Sequence, residues 1–106
     1  LHARKKWIIS SLTSSGKIYI DQGAARALDK GKSLLAAGIN KVEGSFEKGE
    51  NVLIVDENNK SLARGLSSFT SAEIDKIKGK QSKEIENILG YLSKSEIVHK
   101  DDMVKL

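Results

Sequence analysis

Apolar and polar positions along the chain divide it into short elements separated by glycine and serine turns. Trp7, Ile8, Ile9 and Leu12 form an apolar start, which Thr13, Ser14, Ser15 and Gly16 close as a turn. Lys17 to Ile20 alternates sides and carries β-formers, so it predicts a half-buried strand. Asp21 then stands where a helix N-cap belongs, ahead of Ala24, Ala25, Ala27 and Leu28. Gly31 follows at the C′ position, which bounds a helix of about two turns. Ala24, Ala27 and Leu28 share one face of it, and Arg26 and Lys30 point elsewhere.

Ser33 to Ile39 is apolar up to Gly38 and reads as a short buried strand followed by a turn. Val42 and Phe46 flank Gly44, and Lys48-Gly49 makes the next turn. Asn51 to Val55 is the strongest strand signal in the chain. The polar connector Asp56 to Lys60 makes it a hairpin with Leu62 to Leu66. In that second strand Leu62, Arg64 and Leu66 face one way and Ala63 and Gly65 the other, with Gly65 suited to close backbone approach. Thr70 and Glu73 match a capping box, so a helix starts at about Ser71, with Ile74 and Ile77 as its stripe and Gly79 at its end. Ser82 is placed as the cap of a further helix with Ile85, Ile88 and Leu89 on one face, closed by Gly90. Ile97 to His99 and Met103-Val104 read as a final strand region.

A chain of 106 residues fits one domain. Hydrophobic residues make up 39% and charged residues 30%, which excludes a disordered chain. No cysteine is present, so disulfides and thiolate metal sites are excluded. No apolar run approaches the roughly 18 residues of a membrane span, and no signal-peptide pattern follows the first residues. The chain begins without methionine on a basic cluster, and is expected to be a fragment of a longer protein. A net charge of +4 favours anionic partners but does not by itself identify one.

Enzyme motifs are missing. There is no GxxxxGK[ST] loop and no GxSxG elbow, and Gly23 and Gly31 have the wrong spacing for a dinucleotide fingerprint. His99 with Asp101 and Asp102 falls short of the three or four convergent ligands of a metal site, so neither catalytic nor metal residues are assigned. The cluster Arg4-Lys5-Lys6 beside Trp7 could contact phosphate and stack a base, but Ile8 and Ile9 favour a core role for Trp7. Tyr19, Phe46 and Phe69 are the other candidates for a stacking platform, with core packing the preferred role for Phe46.

The stretch Tyr19 to Leu66, YIDQGAARALDKGKSLLAAGINKVEGSFEKGENVLIVDENNKSLARGL, resembles the PUA domain, a small RNA-binding pseudobarrel. With the flanks ARKKWI, KSLL, EIENILGY and VHKDDMV, it is most similar to the PUA domain at the C-terminal end of bacterial glutamate 5-kinases. The resemblance implies a mixed α/β pseudobarrel of short, mainly antiparallel strands with short helices at its ends. It implies a single domain over 1–106: a junction to a missing kinase domain at about 1–16, a core over 17–78, and a C-terminal helix and tail over 79–106. The chain departs from the family in having no proline, with Ala36 where proline is common, and in Gln22 where an acid or asparagine is usual.

For function, the resemblance implies a groove formed by the Asp21–Gly31 helix and the strand after it, with helix N–H groups and lysines holding RNA phosphates. The site residues are then Gly23, Arg26, Lys30, Gly31, Lys32 and Ser33. The same residues are open to a plainer role, glycines serving turns and cations solvating the surface. The parent would be a cytoplasmic, often oligomeric kinase using ATP and Mg²⁺ on the γ-carboxylate of glutamate, at the start of proline synthesis and often inhibited by proline. The segment itself would hold no cofactor. Its partners would be structured RNA and the N-terminal amino-acid-kinase domain of the same chain. A regulatory role without RNA is the alternative.

Overall fold

The structure, a computed structural model, describes residues 15–91 and 94–106. The basic cluster Arg4 to Lys6, Trp7 and most of the expected junction lie outside the described residues. Strands β1 (Gly16–Ile20), β2 (Leu34–Leu35), β3 (Ile39–Gly44), β4 (Asn51–Val55), β5 (Ser61–Leu66), β6 (Glu96–Val98) and β7 (Met103–Lys105) form two sheets. The larger has the order β3-β1-β4-β5-β7, and the smaller pairs β2 with β6. Only β1 and β4 run parallel, and the other pairs are antiparallel. Helices α1 (Gln22–Asp29), α2 (Ser71–Ile77) and α3 (Ser82–Leu89) complete the mixed α/β fold.

The alternation seen in sequence directs the core. Ile18 and Ile20 of β1, Val52 and Ile54 of β4 and Ala63 of β5 are fully buried. Each large aliphatic side chain removed from water stabilises the fold by about 1.5–3 kcal/mol. The β5 reading holds, with Ala63 and Gly65 inward and Leu62, Arg64 and Leu66 half-buried. Gly65 is a point of close approach. A Cβ there would lie 2.5 Å from Val98 Cγ1 and 2.9 Å from the Asp102 carbonyl oxygen.

Four local expectations need correction. The buried strand expected over Ser33 to Ile39 is only Leu34–Leu35, because a 3₁₀ turn at Ala36–Gly38 redirects the chain. Ile39 instead opens β3, whose polar Asn40, Lys41 and Glu43 concealed a strand at the sheet edge. The cap of α3 is Gln81, not Ser82, since the Glu84 carboxylate accepts from the Gln81 N–H at 2.9 Å. On α3 Ile85 is buried, while Ile88 is 37% exposed. The tail is two strands in different sheets: β6 pairs with β2, a 3₁₀ turn over Lys100–Asp102 follows, and β7 pairs with β5.

The capping box of α2 is present. Thr70 Oγ1 accepts from Glu73 N at 3.1 Å and Glu73 Oε1 accepts from Thr70 N at 2.9 Å. The Tyr91 hydroxyl donates to the same carboxylate, tying the end of α3 to the start of α2. Partial burial pushes the Glu73 carboxyl up, but the bonds from Tyr91 and Thr70 and the charge of Lys48 outweigh it and hold it below the ordinary value of 4.5. A carboxyl lowered on folding contributes stability above its unfolded value, which is lost as pH falls through the folded one. Urea titrations of the wild type should therefore weaken below about pH 4.5. Glu73→Gln should flatten that acid limb, and an unchanged limb would mean that other carboxylates produce it.

Candidate nucleic-acid interface

Helix α1 and its exit shape the surface that sequence reasoning selected. Asp21 Oδ1 accepts from Ala24 N at 2.8 Å, so the N-cap is in place. That carboxylate takes the Ala24 N–H and brings a negative charge to the helix start, which therefore does not offer itself to a phosphate. At the other end Lys32 N donates to Ala27 O at 3.0 Å and Gly31 N to Leu28 O at 2.9 Å, the paired bonds of a Schellman ending. Gly31 has φ +81°, and an added Cβ would meet no atom within 4 Å. The constraint there is conformational, not steric. Gly31→Val should cost about 1–3 kcal/mol, whereas Gly31→Asn should be better tolerated. Thermal melts would test this, and a Val variant melting like the wild type would refute the assignment.

Between α1 and the 3₁₀ turn lies an open groove of about 420 Å³. Its floor is Ala24, Ala27, Ala37 and Gly38, and Leu35, 43% exposed, forms part of its wall. Asp21 N donates to Gly38 O at 2.9 Å and closes the floor. Gly23, Lys32 and Ser33 line it, as do Asp21 and Glu96. Ser33 Oγ also accepts from Lys100 N at 2.8 Å, which gives it a structural role in anchoring the tail.

The expected residues thus separate. Gly23, Lys32 and Ser33 share the groove. Gly31 borders a second hollow on the far side of the turn, with Lys100 and Lys105. Arg26 borders a third, beside Asp56 and Glu57, because the helix turns it away from Gly23 and Ala27. Lys30 is exposed at the helix end and lines none of the three. Leu35, Ala37, Gly38 and Glu96 were missed. The small residues after Leu35 were a usable signal for part of this floor, but nothing local places Glu96 opposite Leu35.

The aromatic residues do not form a platform. Phe46 and Phe69 are 2% and 1% exposed, in the core. Tyr19 is half-buried, with Lys41 Nζ 4.6 Å from its ring centre and its hydroxyl donating to Glu43 at 3.1 Å. His99 Nδ1 accepts from Asp101 N at 3.1 Å and caps the 3₁₀ turn. Among the described residues no group of three or more His, Cys, Asp or Glu is placed to hold a metal ion. No helix among them is long and apolar enough to cross a membrane.

Comparison with known proteins gives this geometry a family setting. The model of the PUA domain family matches residues 16–89. The glutamate 5-kinase of Pelagibacter ubique is 61% identical over 106 residues, which is all of this chain and 29% of that protein. The glutamate 5-kinase of Microcystis aeruginosa is 48% identical over 106 residues, covering 99% of this chain and 28% of that protein. The chain therefore spans under a third of these relatives. A PUA domain of Aeropyrum pernix, solved with tartrate, superimposes with a TM-score of 0.60 at 26% identity, over 80% of this chain and 41% of that one. A chain of an H/ACA ribonucleoprotein bound to a substrate RNA gives a TM-score of 0.54 at 29% identity, over 56% of this chain and 19% of that one.

Proposed function

Because this chain belongs to the PUA domain family, we propose that it binds structured RNA at the groove between α1 and the Ala36–Gly38 turn, as the C-terminal accessory domain of a glutamate 5-kinase. The observation that carries the reading is the groove itself. It lies within the matched residues, it is open, and Lys32 stands on its lining beside the Gly31 turn. Lys30, exposed two residues earlier, extends the cationic rim, while Arg26 does not belong to it. Phosphates are held by such cations outside the groove, and its apolar floor is left for a base.

The parentage rests on identity across the whole chain with proteins named glutamate 5-kinase. In that setting an N-terminal amino-acid-kinase domain of the same chain phosphorylates the γ-carboxylate of glutamate with ATP and Mg²⁺, the first step of proline biosynthesis. The enzyme works in the cytoplasm as a homo-oligomer. Phosphoryl transfer needs a nucleotide cradle and metal-holding carboxylates. The described residues do not fit that set, so ATP and Mg²⁺ belong to the kinase domain and no step is assigned to this segment.

The test is a titration of a structured RNA at two salt concentrations. The Lys30→Glu/Lys32→Glu double variant should stay folded and bind more weakly, with the slope of log affinity against log salt flatter by about one per lost phosphate contact. Arg26→Glu should have a much smaller effect, since Arg26 faces Asp56 and Glu57. A folded double variant with wild-type affinity and slope would sink the groove reading. A wild type that does not bind RNA would favour a regulatory role in which the domain modulates the kinase or its assembly.

A further inference from the structure

The groove has the wrong sign for phosphate along much of its length. One cation, Lys32, lines it against two carboxylates, Asp21 and Glu96. A phosphate about 4 Å from a carboxylate meets a repulsion of about 4 kcal/mol at the effective dielectric of a protein surface. Between the charges the lining is Ala24, Ala27, Leu35 and Ala37. An apolar floor bounded by carboxylates suits a ligand that brings a flat face and a hydrogen-bond donor. An unstacked nucleobase has both.

The two carboxylates are not equivalent. Asp21 is committed to the helix, where its Oδ1 accepts from Ala24 N at 2.8 Å. Glu96 closes no helix. Its Oε2 accepts from Ser95 Oγ at 3.0 Å, and an ionised carboxylate has about four lone-pair sites, so acceptor capacity remains. Its backbone is well held. Glu96 stands opposite Leu35 in the β2–β6 pair, and the next two residues, Ile97 and Val98, are fully buried. The side chain is thus presented to the groove from a fixed strand. That strand lies beyond residues 16–89, the part of the chain that the PUA family model matches.

Resting on the RNA reading above, we propose that Glu96 is a specificity-determining residue of the groove, selecting an unpaired base that carries an exocyclic amine. Cytosine, adenine and guanine each direct an amine towards a carboxylate acceptor. Uracil offers a single ring N–H flanked by two carbonyl oxygens, which a carboxylate repels. Lys32 then holds the phosphate of the same nucleotide at the rim.

The experiment measures binding of this chain to one RNA hairpin carrying a short single-stranded extension of cytidines, adenosines or uridines. The wild type should bind the cytidine and adenosine forms roughly fivefold to tenfold more tightly than the uridine form. Glu96→Gln keeps the side-chain volume but adds an amide donor that uracil carbonyls can use. The ratio should fall below about twofold, mainly through tighter binding of the uridine form. If Glu96 only repels phosphate, the substitution will tighten all three forms equally, and the unchanged ratio overturns the proposal. Equal affinity of the wild type for all three also overturns it, while leaving the RNA reading intact. Failure of the wild type to bind any of them refutes the RNA reading itself, and this inference with it.

Discussion

Phe46→Ala is expected to lower stability by about 3–5 kcal/mol, the range for removing a buried aromatic ring and leaving its cavity. Phe46 is 2% exposed, and its ring lies so close over Gly16 that a Cβ there would be 2.6 Å from Cδ2. Its backbone is fixed as well. Phe46 O accepts from Ser71 N at 3.0 Å, and Phe46 N donates to Ser71 Oγ at 3.2 Å, at the start of α2. Neither the glycine nor the capped helix start can move far to fill the space, so the loss should sit high in the range. In a domain of this size it corresponds to a melting point lower by about 15 °C or more. Urea denaturation should show a lower midpoint with an unchanged slope, and Phe46→Leu should recover part of the difference. A loss below about 1 kcal/mol would mean that the ring is not part of the core.

Gly65→Val is the second large effect, through crowding. The new Cβ would lie 2.5 Å from Val98 Cγ1 and 2.9 Å from the carbonyl oxygen of Asp102. The first neighbour is a buried branched side chain and the second is backbone, so neither yields cheaply. A cost of about 3 kcal/mol or more follows. The damage should be directional. Val98 pairs with Leu34 in the small sheet, and Met103 pairs with Gly65 itself, so relief of the clash lifts the tail off both sheets. Hydrogen exchange should show protection lost first over residues 96–105. A double-mutant cycle isolates the cause. Val98→Ala in the Gly65→Val background should restore only part of the stability, because the Asp102 oxygen remains. Full restoration would place the whole clash on the side chain, and an unperturbed tail would refute the close approach.

The helix ends and glycine conformations were legible in the sequence because they depend on near neighbours. Asp21 reaches Ala24, Thr70 and Glu73 satisfy each other, and Gly31 and Gly90 adopt positive φ at helix ends. Each is decided within one turn of chain by orphan backbone groups and the absence of a Cβ. The β4–β5 hairpin was legible for the same reason, and so were the inward faces of its strands. Even the Gly65 approach could be expected, because a glycine inside a strand makes room for something.

Pairing between distant segments was decided only by the tertiary structure. The parallel β1–β4 pair, the polar edge strand β3 and the division of the tail between two sheets depend on partners far along the chain, for which no local pattern codes. The site follows the same division. Gly23, Lys32 and Ser33 came together because the α1 ending is local. Arg26 fell on another face because the packing of Leu28 and the rise of the helix set its direction, not its nearness in sequence to Lys32. Glu96 entered the groove only because β6 crosses to β2. A side chain's identity is written in the sequence, but which wall it faces is set by what its backbone pairs with.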